Sequence, residues 1–454
     1  MKKFMTFLLL ISFLFVNCSN GLAAKKVNVI GKWEGEIDVS GQKLGIIINF
    51  KSPGSGLQGT IDIPAQGAKN VPLNNINISD NKIKFKVPQF PGNVKFEGEI
   101  KEKIIKGDFH QHGASFPFKI EKNDQKNNHK KAAGKEKSIN YALGKYEIRE
   151  KEVKIPVKGG ELAGTLTVPE GIKSNKSVIL VAGSGPTDRN GNTPLLPVKI
   201  NTLKEIAHYL SSKGIITLRY DKRGVRESSN LIKKESPSFN SFRSDLMKAV
   251  DYIRKLNTID KDQIYLAGHS EGALLSIMAA EQGAEVEGII LISGPGFTMA
   301  ETLRKQINNI ADHFEKEGNK EVKEEMITAL DDLYQAIRHD QSFNIEDYDV
   351  PDQAKNIYLS FAYQRKFTKG YLDIDPVDLL QKVDEKVCII QGTNDGRVET
   401  KAAKRLASVV PKKRLDLNIV KGVNHFLKKA KPGNLASDIR IDKKVLNTIY
   451  KFVK

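Results

Sequence analysis

From residue 146 onward, short apolar runs alternate with longer stretches whose apolar positions recur every three or four residues. The runs at 152–156, 162–168, 177–182, 215–220, 264–267, 288–293, 386–391 and 415–420 read as strands. Ser177-Val178-Ile179-Leu180-Val181-Ala182 is almost wholly apolar, as a strand covered on both faces must be. Residues 202–213 read as a helix stopped by Gly214. Residues 242–256 read as an amphipathic one, with Leu246, Val250 and Ile253 on one face. Strands alternating with helices predict an α/β fold with a mostly parallel sheet and crossover helices. Residues 297–369 break the alternation with helical patterns at 299–317, 321–338 and 353–361, which predict a helical cap over the site.

The first part of the chain follows a different rule. Between residues 27 and 121 apolar and polar residues alternate in short runs at 33–39, 44–50, 58–63, 82–87, 94–100, 104–109 and 115–120, separated by turn residues. This predicts a small all-β barrel or sandwich with one buried face and one wet, lysine-bearing face. Gly31-Lys32-Trp33 resembles the G-x-W of lipocalin-like barrels, and Trp33 is expected as a core plug. The expected layout is a signal peptide at 1–24, a barrel-like domain at 25–121, a polar linker at 122–145 and the α/β domain at 146–454.

Lys2 and Lys3, the apolar stretch 4–16 and the small residues ending in Ala23-Ala24 form the leader pattern. Export to a periplasmic or extracellular location follows as an expectation. Phe15-Val16-Asn17-Cys18 loosely resembles a lipoprotein box, so lipid anchoring through Cys18 and plain cleavage near Ala24 both stay open. Without Cys18 only Cys388 remains, and no internal disulfide can form.

The 454 residues carry a formal charge of +18. Residues 25–145 contain 21 Lys, no Arg and 12 acidic residues, a local charge of +9. Lysine without arginine argues against specific nucleic-acid readout, which favours Arg forks. A solvated surface with loose attraction to an anionic envelope fits better. His110, His112 and His129 lack Cys or carboxylate partners at ligand spacing, so neither a metal nor an organic cofactor is expected.

The chemistry centres on Gly268-His269-Ser270-Glu271-Gly272, which fits G-x-S-x-G between the 264–267 strand and a run of helix formers. A serine at such a turn stands clear of the sheet, and flanking glycines remove Cβ atoms that would clash. Serine needs a base and the base an orienting acid, in the order Ser, Asp, His, each just past a strand end. Asp395 follows the 386–391 strand in Gly392-Thr393-Asn394-Asp395, and His425 follows the 415–420 strand in Lys421-Gly422-Val423-Asn424-His425. Asp384 lies at the wrong strand end. His313 and His339 fall in the cap. The oxyanion donors are expected to be the amide of Glu271 and that of Ser184 or Gly185, in Gly183-Ser184-Gly185-Pro186-Thr187-Asp188. His269 is expected to line the substrate pocket, and Asp221 with Arg223 to form a structural ion pair.

Together the motifs at 183–188, 268–272 and 392–395, with Arg219-Tyr220-Asp221-Lys222-Arg223-Gly224, resemble the α/β-hydrolase superfamily over residues 146–454. Within it they resemble secreted bacterial serine hydrolases related to dienelactone hydrolases and the prolyl oligopeptidase catalytic domain. The chain departs from that pattern at Arg226 and Ala273, where the family often has Gly. The resemblance implies hydrolysis of carboxylic esters on small molecules through an acyl-enzyme. Two alternatives stand beside it: a prolyl oligopeptidase-like peptidase acting on short peptides, and an envelope protein whose barrel binds a lipid or glycan beside a vestigial hydrolase domain.

Overall fold

The computed structural model describes residues 28–39, 42–52, 56–63, 68–88, 94–111, 114–123, 144–172, 174–193, 199–232, 237–316, 318–430 and 440–454. The leader, Cys18 and most of the linker lie outside the described residues, as do His112 and His129.

β1 (Gly31–Val39), β2 (Gln42–Lys51), β3 (Gln58–Ile63), β4 (Ala68–Pro72), β5 (Asn74–Ser79), β6 (Lys82–Lys86), β7 (Lys95–Lys101), β8 (Ile104–Gln111) and β9 (Ala114–Asn123) form one antiparallel sheet. Its order is β4-β3-β2-β1-β9-β8-β7-β6-β5, so first and last strands pair and two sequence neighbours form the edges. The amide of Leu73, between those edges, donates to Gly59 on β3 at 2.9 Å and brings the sheet close to closure. The period-two pattern is visible in β6, where Ile83 and Phe85 point in and Lys82, Lys84 and Lys86 point out. Trp33 is fully buried and its indole N–H donates to Val29 at 2.6 Å. Phe85 stacks on Phe96, which meets Phe118 edge-on, with centroids 4.8 and 5.1 Å apart. The described interior is filled by its own side chains.

The second sheet contains β10 (Ile148–Val157), β11 (Gly160–Pro169), β12 (Ser177–Val181), β13 (Ile216–Tyr220), β14 (Ile264–His269), β15 (Gly288–Ile292), β16 (Lys386–Gly392) and β17 (Leu415–Val420). Its order is β10-β11-β13-β12-β14-β15-β16-β17. β10–β11 and β11–β13 are antiparallel, and every pairing from β13 to β17 is parallel. Helices cover both faces: α2 (Phe239–Arg254) and α3 (Glu271–Glu281) on one, α1 (Thr202–Ser212) and α10 (Lys443–Val453) on the other. β12, β14 and β15 are therefore buried along their whole length. This is the α/β-hydrolase arrangement.

Several helices differ from the sequence expectation, among them α9 (Thr400–Ala407) between β16 and β17, where the expectation names no helix. α2 starts at Phe239 because the Ser238 hydroxyl caps it, accepting from the Ser241 amide at 3.2 Å. α10 was not anticipated, although Val445, Leu446, Ile449 and Val453 are spaced for one face and are all buried.

Between β15 and β16 the chain forms α4 (Met299–Lys316), α5 (Lys320–His339), α6 (Asp352–Tyr363), α7 (Arg365–Lys369) and α8 (Pro376–Leu380). α4 to α6 enclose their own apolar core around Leu303, Ile307, Leu330, Leu333 and Tyr358. α7 is fastened to the sheet domain by aromatic rings. Phe367 meets Phe239 and Phe242 edge-on, and Tyr371 stacks on Phe239 with centroids 4.6 Å apart.

Candidate active site

The parallel register brings the candidate residues to one end of the sheet. β14 ends at His269 opposite Ile292, Ile292 pairs with Ile390, and Gly392 at the end of β16 pairs with Val420 at the end of β17. The loops past these ends carry Ser270, Asp395 and His425, the edge at which open parallel sheets place their sites.

Ser270 sits at φ 57° and ψ −122°, a conformation a non-glycine residue adopts only when its surroundings force it. The forcing is backbone against backbone. The Ser270 amide donates to Ile292 at 2.9 Å, and α3 begins at the very next residue. A Cβ on Gly268 would lie 2.1 Å from the Gly272 carbonyl oxygen, and one on Gly272 would lie 2.3 Å from that of Val181. Gly268→Ala is accordingly expected to destabilise the fold by about 3 kcal/mol, at the upper end of overpacking penalties. A denaturant midpoint unchanged from the wild type would show that the turn relaxes freely.

Asp395 and His425 are joined. The Nδ1 of His425 lies 3.0 and 2.9 Å from the two carboxylate oxygens, and both side chains are nearly buried. The carboxylate also accepts the amides of Arg397 and Val398, each at 2.9 Å, and the side-chain N–H of Gln391 at 3.0 Å. Burial alone would raise its pKa. The His425 hydrogen bond and charge, with the two amides, overcome burial and hold the carboxyl well below the usual range. A carboxylate only accepts, so in the neutral form of the ring the one proton sits on Nδ1 and Nε2 is a lone pair. Asn424 shapes the turn: its side-chain oxygen accepts the amides of Phe426 and Lys428 at 3.0 and 3.1 Å.

His269 is nearly buried, and its Nε2 lies 2.8 Å from the His425 carbonyl oxygen. A carbonyl only accepts, so this nitrogen donates. The ring expected on the pocket wall thus braces the backbone of the candidate base. Burial and the neighbouring His425 push its pKa down to about 3. Between that value and the ordinary ~6.5 the unfolded chain takes a proton here that the folded chain refuses. Stability is therefore expected to fall as pH drops through this window, and His269→Gln to flatten that part of the profile. Equal pH slopes for both proteins in urea titrations would refute the assignment.

The candidate oxyanion loop follows β12. A Cβ on Gly183 would come within 3.2 Å of the Ser270 Cβ, which places this backbone directly beside the serine. Ser184 and Gly185 are exposed, and Gly185 has φ 72°. Thr187 ties the loop to itself, its hydroxyl donating to Ser184 and its amide to Gly185, both at 2.8 Å. Asp188 accepts the amides of Asn190 and Asn192 at 2.9 Å. Glu271, whose amide is the other candidate donor, opens α3, where the first N–H groups have no partner within the helix and the dipole favours an anion.

The expected Asp221–Arg223 pair does not form. Asp221 instead accepts from the Arg189 guanidinium at 2.7 Å and from its amide at 2.8 Å. Arg223 pairs with Asp245 at 2.6 and 3.0 Å. Both pairs hold the loop after β13, through partners remote in sequence. Arg226 adopts φ 43° in the next turn, the left-handed region that glycine occupies most readily. A groove of about 550 Å³ lies elsewhere, over β10 and β11, lined by Glu152, Lys154, Glu161, Glu227 and Leu231 among others; none of Ser270, Asp395 or His425 borders it.

Residues 199–429 match the family model described as serine aminopeptidase, S33 (Hydrolase_4). The chain belongs to this family. It is an α/β-hydrolase with an all-β domain in front, and the matched region contains Ser270, Asp395 and His425. Esterase EstD of Thermotoga maritima is 34% identical over 160 residues, which is 34% of this chain and 35% of that protein. The chain thus matches about a third of the length of this curated relative. Among solved structures, the α/β hydrolase GrgF from Penicillium sp. sh18 is 18% identical, with 67% of this chain and 98% of that chain covered and a TM-score of 0.43. Est1E from Butyrivibrio proteoclasticus with ferulic acid bound is also 18% identical, with 66% and 97% covered and a TM-score of 0.40.

Proposed function

We propose that this family member hydrolyses carboxylic esters of small molecules through an acyl-enzyme on Ser270. The observation that supports the reading is the buried Asp395–His425 bond, made in loops at the same end of the sheet as Ser270. His425 takes the Ser270 proton as the hydroxyl attacks the ester carbonyl. The oxyanion that forms is held by the amide of Glu271 and a second amide from the loop after β12. His425 then protonates the leaving alcohol. Water, deprotonated by the same nitrogen, attacks the acyl-enzyme and frees the acid. Similarity to Esterase EstD supports ester over amide substrates. The family description favours a second reading, removal of amino-terminal residues from short peptides.

One comparison separates them: turnover of p-nitrophenyl butyrate against an aminoacyl p-nitroanilide. Ester hydrolysis is expected to exceed anilide hydrolysis by at least about 10²-fold in kcat/KM, roughly 2.7 kcal/mol of transition-state preference. An anilide rate equal to or above the ester rate would favour the peptidase.

A further inference from the structure

Lys222 is a charged side chain in the sheet domain that the scheme above does not use. It lies in the loop after β13, is only 4% exposed, and points inward. Its ammonium group donates to the Gly183 carbonyl at 2.5 Å and to the Glu271 carboxylate at 3.2 Å, with the Phe242 ring 5.3 Å away. These two partners belong to the two segments that supply the candidate oxyanion donors. Resting on the proposed function, we propose that Lys222 is the positioning residue of the oxyanion hole and that Ser184, not Gly185, provides the second N–H.

The reason is the geometry of one peptide. The Gly183 carbonyl and the Ser184 N–H share a planar unit, and no peptide bond among the described residues is cis, so the two groups point in opposite directions. A cation gripping the carbonyl from below therefore turns the N–H upward, beside a serine whose Cβ is 3.2 Å from where a Gly183 Cβ would be. Charge on the carbonyl oxygen also polarises the same unit and strengthens its N–H as a donor. The second arm, to Glu271, fixes the first turn of α3 against this peptide, so the two donors are set at a constant spacing. Phe242, packed against Phe367 of α7, which in turn meets Tyr371, keeps water from replacing either bond. Among the described residues, Glu271 is the one carboxylate that pairs with Lys222.

The test uses the full-length protein with Lys222→Met, Lys222→Met/Glu271→Gln and Ser270→Ala, read by kcat, KM, melting temperature and inhibition by an aryl trifluoromethyl ketone. The ketone forms an oxyanion only after addition of the serine. Lys222→Met is expected to lower kcat about 10²-fold with KM within about threefold, and to weaken the ketone by a similar factor. The double variant removes the carboxylate left stranded by the single change. It is expected to regain melting temperature while kcat and ketone affinity stay low. A double variant with wild-type kcat would show that Lys222 serves only to neutralise Glu271, and would overturn the proposal. So would a folded variant in which kcat and ketone affinity do not fall together. If Ser270→Ala were as active as the wild type, the reading of the site itself would fail, which a failure at Lys222 alone would not imply.

Discussion

Ser270→Ala is expected to lower kcat for ester hydrolysis by on the order of 10⁴-fold or more while leaving the fold unchanged. The size follows from what is lost. In the proposed scheme no acyl-enzyme forms without the hydroxyl, and only binding and the oxyanion donors remain to assist water. Stability is untouched because the Ser270 side chain makes no capping bond to α3, and alanine carries the same Cβ into the same strained conformation. The variant's melting temperature is expected within about two degrees of the wild type, and KM within a few fold. Kinetics and a thermal melt on the same preparation check both halves. A loss below about tenfold in a folded variant would remove Ser270 from the chemistry.

Asp395→Asn is expected to cost about as much, roughly 10⁴-fold in kcat, for a different reason. One carboxylate oxygen faces the amides of Arg397 and Val398, the other faces the Gln391 N–H, and His425 Nδ1 lies against both, 3.0 Å from the first and 2.9 Å from the second. All of these neighbours donate. An asparagine that keeps its oxygen on the two amides turns its NH₂ toward Gln391 and His425. The Gln391 N–H then faces another donor, and the NH₂ that replaces the oxygen 2.9 Å from Nδ1 favours the tautomer in which Nδ1 accepts. The ring proton moves to Nε2, the nitrogen that receives the serine proton in the proposed scheme. The same carboxylate also stabilises the fold. Its folded pKa lies below that of the unfolded chain, so its contribution is complete above the ordinary carboxylate pKa of ~3.9 and is lost as pH falls through the folded value. Asp395→Asn is expected to lower stability at pH 7 and to lose that difference in acid. A variant with near-wild-type kcat would show that another group orients the imidazole.

The parts of this molecule that could be read in the chain are those where chemistry and local pattern coincide. The elbow was legible because a strained serine needs glycines at fixed distances, and the clashes at Gly268 and Gly272 are the reason. Strands β12, β14, β15 and β16 were legible because burial on both faces leaves almost nothing but apolar residues. The partners of Asp221 and Arg223 were not. An ion pair chooses by proximity in space, and Arg189 arrives from the loop of a neighbouring strand. Nothing in the spacing marks His269 as a brace for His425, because that contact depends on the turn after β17. Lys222 was hidden for the opposite reason. A lysine in a polar loop reads as solvated, and only the fold shows it buried between a carbonyl and a carboxylate.

Covalent capture at the serine tests the central claim most directly. The wild-type protein would be treated with a fluorophosphonate, digested and mapped by mass spectrometry, with His425→Ala alongside. The expected result is a single phosphonylated residue, Ser270, at full occupancy in the wild type and at a rate reduced at least about 10²-fold in His425→Ala. Label on any other residue, or steady ester turnover by a protein whose Ser270 stays unmodified, would contradict the account.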